Sequence, residues 1–415
     1  MLPGSVAGKR RFKGSHLTNL ALAILVLTGV VSFVAGVLGK NPLRAWQAYL
    51  VNFLFWTGLS CGALVFVAVL NIVGARWGRP LKRFAEAFGA FLPVAFVLFW
   101  ILYFGRMELF PWIKQPVPDR AVWLNVPFLF ARDGGGLLLL TVIALTMIFF
   151  SVKGDSEWSA SQANSRDATG EDKSSSPWLA SWRKQKTLSP ILVIAYTFVL
   201  TLIGFDLIMA LDAHWYSTLL GGYFLVGSFY AGVAALYLIA LVMQRTLRPN
   251  DYQGERHFHD LGKLTLAFCL FTGYLFYAQF LTIWYGNLPA ETRYVILRVK
   301  LTPWEPLAWV VLFMIFLIPF FVLLSRRIKL KRVPMILLCL MILTGMWLEK
   351  LILVAPSLWR QNEFPLGFTE ILITAGYFGA SGLCFKCFLS RVPLMPVSDP
   401  LFREMIELRQ QRLEP

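Results

Sequence analysis

The sequence has few of the side chains that hold metals or redox groups. Four histidines occur among 415 residues, and none lies in the middle of a long apolar segment. Because a haem b held between helices needs facing histidine ligands, the sequence predicts no haem of this kind. The cysteines are scattered, and for the single CxxC, Cys384 and Cys387, ordinary packing is favoured over metal or redox chemistry. We predict no haem, no iron–sulfur cluster, no metal site, no covalently bound cofactor and no catalytic residue.

Charged residues are also scarce, at 15% of the chain, whereas 57% of the residues are hydrophobic. A soluble domain needs charge on about a quarter of its residues. The segments Leu17–Leu38, Ala45–Ala75 and Leu264–Ala290 contain no charge at all. A helix of about 20 apolar residues spans the ~30 Å hydrocarbon core of a bilayer. These segments do not alternate as the strands of a membrane barrel do, so we predict an all-α polytopic membrane protein.

The pattern predicts ten transmembrane helices, arranged as two four-helix bundles with two peripheral helices. The spans are 17–38, 45–74, 84–105, 124–151, 189–212, 216–244, 260–286, 305–325, 334–355 and 368–389. The predicted divisions are 1–44 (N-tail and first span), 45–152 with 188–215 (first unit), 153–187 (flexible cytoplasmic loop), 216–359 (second unit) and 360–415 (last span and C-tail).

The two units are predicted from a weak internal repeat. A shift of 169 positions places Trp46 on Trp215, and a shift of 174 places Glu86 on Asp260. An even number of spans per unit would relate the two by an axis along the membrane normal. Chance agreement between aromatic-rich spans is the competing interpretation.

Negative charge is scarcer than positive charge: 23 acidic residues stand against 39 Lys and Arg, a net charge of +16. Most of the basic residues lie in the tails and loops that the ten spans place on the same side of the membrane as the N-terminal tail. By the positive-inside rule we predict a multi-pass protein of the bacterial inner membrane, in contact with lipid, with both termini cytoplasmic. Nucleic-acid binding would need the basic residues on one solvated face, and the loops scatter them, so we predict no nucleic-acid partner.

Charged residues interrupt several apolar spans: Arg132 and Asp133 in the fourth, Asp206 in the fifth, and Glu349 and Lys350 in the ninth. A charge within the bilayer costs several kcal/mol, so Asp206, Glu349 and Lys350 are candidates for a proton relay. The alternative is a neutralised carboxylate, or an ion pair with Lys350 that only fixes helix packing. Nearer the cytoplasmic side, titratable residues begin two spans, with ordinary helix-end capping as the alternative. The predicted proton path is Asp206, Glu349, Lys350, Glu86, Asp260, Lys263, His257, His259, Tyr103 and Tyr277.

The opposite side of the membrane carries a second group of polar residues. A quinone headgroup needs a hydrogen-bond donor or acceptor at each of its oxygens. Arg106, Asp133, Asp212 and His214 are the predicted residues for such a site, and an ordinary interfacial loop is the alternative.

Several longer stretches resemble the NrfD-like membrane subunits of alternative complex III. They are 207–218 (LIMALDAHWYST), 259–263 (HDLGK), 279–292 (QFLTIWYGNLPAET), 44–50 (RAWQAYL) and 396–400 (PVSDP). The resemblance covers about residues 40–400 and implies ten spans in two four-helix bundles. It also implies a complex that oxidises quinol and passes electrons to cytochrome c or an oxidase. The implied partners are a second NrfD-like subunit, an iron–sulfur subunit, haem c subunits and a terminal oxidase.

The sequence is most similar to the smaller of the two NrfD-like subunits. The larger one carries a histidine near the end of the third span, where this chain has Tyr103-Phe-Gly-Arg106. The resemblance therefore implies a proton-conducting or assembly role without a redox centre of its own, with quinone or menaquinone as the possible ligand. A quinone-reactive anchor of a polysulfide-reductase-like molybdoenzyme and a secondary transporter are the competing interpretations.

Overall fold

The computed structural model describes residues 15–164, 177–244, 255–359 and 364–411. In this part of the chain the regular structure is helical and no strand is present. Ten helical segments are long and apolar enough to cross a membrane, with mean hydropathies of 1.4 to 2.9 over their most apolar windows. The all-α polytopic class is therefore confirmed. The physical cause is local, because a bilayer offers the backbone no hydrogen bonds and a helix satisfies them all internally.

The helices follow the predicted order. They are α1 (His16–Val37), α2 (Pro42–Ile72), α3 (Lys82–Gly89), α4 (Leu92–Ile101), α5 (Val126–Asn164), α6 (Pro177–Leu207), α7 (Leu219–Met243), α8 (Glu255–Gly286), α9 (Pro289–Val299), α10 (Trp304–Leu312), α11 (Ile318–Leu324), α12 (Arg332–Leu358), α13 (Phe368–Arg391) and α14 (Pro400–Gln411). Single-turn helices cover Arg106–Leu109, Pro111–Lys114 and Arg326–Lys329.

Two of the spans are interrupted. The third is divided between α3 and α4, and the eighth contains a π-helical segment, Phe313–Leu317, between α10 and α11. Pro319 has no backbone N–H to give to the carbonyl of Ile315, four residues earlier. The Tyr230 hydroxyl donates to that carbonyl at 3.1 Å instead. The interruption therefore joins α7 to the eighth span through a buried hydrogen bond.

Helix α2 is the centre of the structure. It packs against α6, α7, α12 and α13, and 94% of its most apolar window is buried. Glycines let α2 and α7 touch backbone to backbone: a Cβ atom at Gly62 would lie 2.3 Å from the carbonyl oxygen of Ser228, and one at Gly232 would lie 2.3 Å from the Ala63 nitrogen. Small residues are the usual means of close helix packing in membranes.

The outer helices pack on each other as well as on this centre. Helices α1 and α13 meet at Gly29 and Gly376, and only 6% of the most apolar window of α1 is buried. Helices α2, α4, α5 and α6 are neighbours, as are α7, α8 and α10 to α12. These are contacts that two four-helix units would make, and the internal repeat stays a prediction.

The prediction of a flexible loop over 153–187 is wrong where the structure describes it. Helix α5 runs on to Asn164 and α6 begins at Pro177, while residues 165–176 lie outside the described part. At about 1.5 Å per residue, the 39 residues of α5 are much longer than the ~30 Å hydrocarbon core. The polar extension is helical because it is docked: Asp155 and Gln185 are buried and hydrogen-bonded to other elements.

Candidate functional site

Three clusters of charged side chains, most of them buried, lie in an otherwise apolar molecule. The Asp206 cluster contains Arg132, Asp133 and Asp206 with Trp123. The Glu349 cluster contains Glu349 and Lys350 with Tyr223, Tyr294 and Arg298. The C-tail cluster contains Arg79, Lys82, Arg83, Glu86, Asp155 and Asp399. Buried charges are costly unless paired, so each cluster is a candidate for function.

The Asp206 cluster is built at the junction of α5 and α6. Asp206 is fully buried, one residue before the end of α6. The Nε and Nη2 atoms of Arg132, on α5, donate to its two carboxylate oxygens at 2.5 Å each. Such a two-pronged contact fixes the planes of both groups. Trp123 donates its indole N–H to Asp206 at 2.9 Å, and the Arg132 guanidinium lies 3.9 Å from the centre of the Trp123 ring.

Asp133 gives this cluster a second carboxyl group. It interacts electrostatically with Asp206, and neither of its buried carboxyl oxygens has a hydrogen-bond partner among the described residues. Arg132 supplies one positive charge for two carboxyl groups.

The Glu349 cluster lies in the second half of the chain, on α12. The Lys350 ammonium bonds to one Glu349 oxygen at 2.5 Å, and both side chains are buried. The other oxygen of Glu349 has no hydrogen-bond partner among the described residues, and Tyr223 interacts electrostatically with the carboxylate. The free oxygen makes Glu349 able to accept a proton or a hydrogen bond.

Helix α9 closes this cluster from the side. Its Tyr294 ring stacks on Trp215 with centroids 3.5 Å apart and planes 3° from parallel, and Arg298 lies 3.4 Å from the Tyr294 ring centre. Burial lowers the pKa of Arg298 below its ordinary value, and Tyr294 and Asp212 oppose that shift. Burial raises the pKa of Tyr294 above its ordinary value, so this phenol stays protonated.

Arg298 uses its donors on the backbone of α12. Pro356 cannot donate to the carbonyl of Ile352, and Arg298 Nε donates to that oxygen at 3.0 Å. Its Nη2 donates to the carbonyl of Leu353 at 2.9 Å and to the Ser357 hydroxyl at 2.7 Å. The hydrogen bonds of Arg298 therefore stabilise the end of α12, and its guanidinium is directed at these acceptors rather than at Glu349.

Replacing Arg298 by methionine is expected to destabilise the protein by about 2–3 kcal/mol, because buried carbonyls lose a charged donor. The loss should be smaller in a Pro356→Ala background, since alanine restores the backbone N–H donor that the Ile352 carbonyl lacks. The free energy of unfolding in SDS, measured for the two single variants and the double variant, gives the coupling energy between the two residues. Equal losses in both backgrounds would contradict this role of Arg298.

A mostly apolar cavity adjoins the Glu349 cluster, and Tyr223, Tyr294 and Glu349 are part of its wall. A second cavity is more polar and is lined by Asp212, His214 and Arg293 among others. Asp212 and His214, two of the predicted quinone residues, thus share one crevice.

The C-tail cluster joins the last described segment to the helix bundle. Asp399 bonds to Arg79 and Lys82 at 3.1 Å each, and Arg83 pairs with both Glu86 and Asp155. Three cations face three carboxylates, so the cluster is neutral. Burial alone would raise the pKa of Asp399, but Lys82 and Arg79 lower it below its ordinary value.

The structure divides the predicted proton path. Glu86 is buried in the C-tail cluster, and Asp206 and Glu349 belong to separate clusters, each with its own cation. Tyr103 and Tyr277 have exposed side chains on the outside of the chain, so they extend neither buried cluster.

The residues predicted at the cytoplasmic end of the path occupy the first turns of α8. Lys263 bonds to Asp260 at 3.1 Å, near the surface. The Nδ1 atom of His257 lies 2.5 Å from the carbonyl oxygen of Trp77. His259 is half-buried, and its Nδ1 has no hydrogen-bond partner among the described residues.

The predicted quinone residues lie in different surroundings. Asp133 is in the Asp206 cluster, whereas Asp212 and His214 line the polar crevice. Asp212 also shares a pocket with Trp123 of the Asp206 cluster. Arg106 is partly exposed, donates to the carbonyl of Tyr103 at 2.8 Å and stacks on that ring. A quinone site made of these four residues stays a prediction.

Sequence reasoning missed several partners of the candidate residues. Arg132 was noted only as an interruption of its span, and Tyr294, Arg298, Asp155 and Asp399 had no assigned role. One signal was available for Arg298, because Pro356 directly follows the predicted ninth span and leaves a carbonyl without a donor where the helix continues past it. The other pairings join distant parts of the chain and left no local signal.

Comparison with known proteins identifies a family. The sequence profile described as "Polysulphide reductase, NrfD" matches residues 36–361, which include α2 to α12. No single curated protein sequence matches the chain at a significant level. The match covers well over half of the chain. This integral membrane protein therefore belongs to the NrfD family, whose members are membrane subunits of quinone-interacting redox complexes and assemble with iron–sulfur and molybdoenzyme subunits.

Proposed function

We propose that this chain is the smaller NrfD-like subunit, ActF, of an alternative complex III, a quinol:cytochrome c oxidoreductase of the bacterial inner membrane. It would lie with both termini in the cytoplasm, beside a second NrfD-like subunit, an iron–sulfur subunit and haem c subunits, with a terminal oxidase as the possible electron acceptor. Membership of the family supports the general role, and the stretches 207–218 and 279–292 support the specific one.

Within that complex the chain would move protons rather than electrons. The observation that carries this proposal is that two separate clusters each contain a buried carboxyl group with an unpaired oxygen near a cation. They are Asp133, which interacts electrostatically with Arg132, and Glu349, which pairs with Lys350 through its other oxygen. A neighbouring cation allows a buried carboxyl group to be charged in one state and protonated in the other.

Helix α7 offers a route to Glu349. Tyr223, Tyr230 and Tyr237 are seven residues apart, so they share one face of the helix at intervals of about 10 Å, and all three are buried. The Tyr237 hydroxyl donates to the carbonyl of Lys329, and the Lys329 side chain is close enough to Lys263, at the start of α8, for their like charges to repel. At the other end of this tyrosine ladder, Tyr223 interacts with Glu349. Water between the hydroxyls would complete a proton path.

Replacing Asp206 by asparagine or Glu349 by glutamine is expected to lower the ratio of protons moved to electrons transferred by the assembled complex. Each change preserves shape and removes the charge that exchanges with a proton. The measurement is proton uptake and electron transfer by the purified complex in vesicles, with subunit composition checked by gel. Glu404→Gln, in an exposed ion pair with Arg76, is the matched control. An unchanged ratio in both variants would contradict a relay.

A second function is favoured by the name of the matching profile. A polysulfide-reductase-like enzyme would use this chain as the quinone-reactive anchor of a molybdenum subunit. Purification under mild detergent separates the two, because co-purifying haem c subunits support the first and a molybdenum subunit supports the second. A lone chain with substrate-stimulated proton uptake would instead indicate a secondary transporter.

A further inference from the structure

A groove lies between two of the outer helices, α12 and α13. Both pack on α2, but within the described ranges they contact each other little. The groove between them is mostly apolar, and α2 and α7 form its floor. Leu340 of α12 and Phe378 of α13 line it, and these side chains are 46% and 54% exposed. The groove is therefore open sideways, on helices long and apolar enough to face a bilayer.

One end of the groove is closed by a hydrogen-bonded bridge. The side chain of Asn52, on α2, accepts from the indole N–H of Trp347 at 3.0 Å and donates to the Thr374 hydroxyl at 2.9 Å. Trp347 and Thr374 belong to opposite walls, so the bridge joins α12 to α13. From Thr374 the wall continues along α13 to Phe385, about 16 Å away at 1.5 Å per residue. This is about half of the ~30 Å hydrocarbon core, which suits a lipid tail of one leaflet and is too short for a membrane-crossing helix.

The other end of each wall leads to an arginine. Arg332 is the first residue of α12 and is half-buried, while Arg391 is the last residue of α13 and is exposed. In the described part of the chain neither forms an ion pair, and residues 326–332 contain five cations and no acidic residue. Arg332 lies about 22 Å along α12 from Trp347, close to half of the ~40–45 Å bilayer thickness that includes the headgroups. A lipid tail ending at the Asn52 bridge would place its phosphate beside the two arginines.

We propose that this groove binds an anionic phospholipid, with one acyl tail between α12 and α13 and the phosphate at Arg332 and Arg391. Basic sites between membrane helices are typical of proteins that recognise acidic headgroups. The lipid would fill the gap and hold α13, together with α1 that packs on it, against the rest of the bundle. The site shares no residue with the three charged clusters, so it does not depend on the proposed proton chemistry.

Native mass spectrometry of the purified complex tests this, after the complex has been washed in mild detergent and mixed with phosphatidylglycerol or phosphatidylcholine. The first phosphatidylglycerol bound should be held about tenfold more tightly than phosphatidylcholine, equivalent to ~1.4 kcal/mol. Thr344→Phe places a ring in the groove and should weaken the binding of both lipids about tenfold or more. Thr197→Phe, the same change at an exposed threonine of α6, should leave both affinities unchanged.

The two arginines are tested separately from the groove. Arg332→Gln combined with Arg391→Gln should lower the affinity for phosphatidylglycerol to that for phosphatidylcholine, because the tail contacts remain and the charge contacts are lost. Arg183→Gln combined with Lys186→Gln removes the same charge from exposed positions of α6 and should keep the preference. These changes lie at helix ends, so they test the proposal even if Thr344→Phe does not fold.

Three results of the titrations would overturn the proposal. They are equal lipid binding in Thr344→Phe and Thr197→Phe, no preference for phosphatidylglycerol in the parent protein, and the same loss of preference in both charge variants. A photo-cross-linking amino acid at position 344 of the assembled complex gives a further test. It should attach to lipid, and attachment to another protein subunit instead would show that a protein fills the groove.

Discussion

Replacing Arg83 by leucine is expected to destabilise the protein by about 3–5 kcal/mol, because it leaves two buried carboxylates without their cation. Arg83 is fully buried and pairs with both Glu86 and Asp155. Asp155 also accepts from the backbone N–H and the hydroxyl of Ser398. The loss should therefore release the C-terminal segment as well, measured as a lower midpoint of SDS-induced unfolding and faster protease cleavage near residue 398.

The matched control for Arg83 is Arg76→Leu. Arg76 forms an ion pair of 2.6 Å with Glu404, but 48% and 42% of the two side chains are exposed. Exposed pairs contribute about 0–1 kcal/mol, so this variant should unfold almost as the parent does. Equal effects of the two leucine substitutions would show that burial of the C-tail cluster contributes nothing to stability.

Replacing Arg132 by leucine is the second change with a large expected effect. It removes the only cation bonded to Asp206 in the described part of the chain, while Asp133 stays beside it. We expect a loss of about 3–5 kcal/mol in the free energy of unfolding, together with a lower proton-to-electron ratio. Both are measured on the same preparation, by SDS titration and by proton uptake in vesicles.

A double variant separates the two effects of Arg132. Arg132→Met with Asp206→Leu replaces the ion pair by apolar side chains, which is often neutral for stability. It should therefore recover most of the stability while the proton ratio stays low. Arg106→Leu is the control, since Arg106 is partly exposed and bonds only to the neighbouring carbonyl of Tyr103 among the contacts described. A proton ratio restored in the double variant would contradict the role of Asp206.

The three clusters of charged side chains differ in charge balance and in surroundings. In the C-tail cluster the charges are equal in number and hold α3, α5, α6 and the C-terminal segment together. One oxygen of Glu86 in this cluster, both oxygens of Asp133 and one oxygen of Glu349 have no hydrogen-bond partner among the described residues. The Asp206 cluster differs in having two carboxyl groups beside one cation, and Glu349 differs in lining a cavity. An ionic network with balanced charges stabilises a fold, whereas a carboxyl group without such balance can exchange protons or bind a ligand.

Much of the architecture could be predicted from the sequence alone. Ten spans and an all-α fold follow from apolar segments such as Leu17–Leu38, because hydropathy over about 20 residues and the need to satisfy the backbone are local properties. The costly charges, Asp206, Glu349 and Lys350, were recognisable for the same reason. Helix extension beyond the membrane was not, since polar residues such as Asp155 become helical there by docking.

The tertiary structure alone decided which charges meet. Arg79 and Asp399 are 320 positions apart in the chain, and Arg132 and Asp206 are 74 apart. Their pairing depends on which helix faces touch, and hydropathy averaged over a span does not encode a face. The cavity beside Glu349 likewise exists only where α7, α8, α9, α10 and α12 converge. The sequence therefore determined how the chain crosses the membrane, and the packing of its helices decided which buried charges meet and where cavities form.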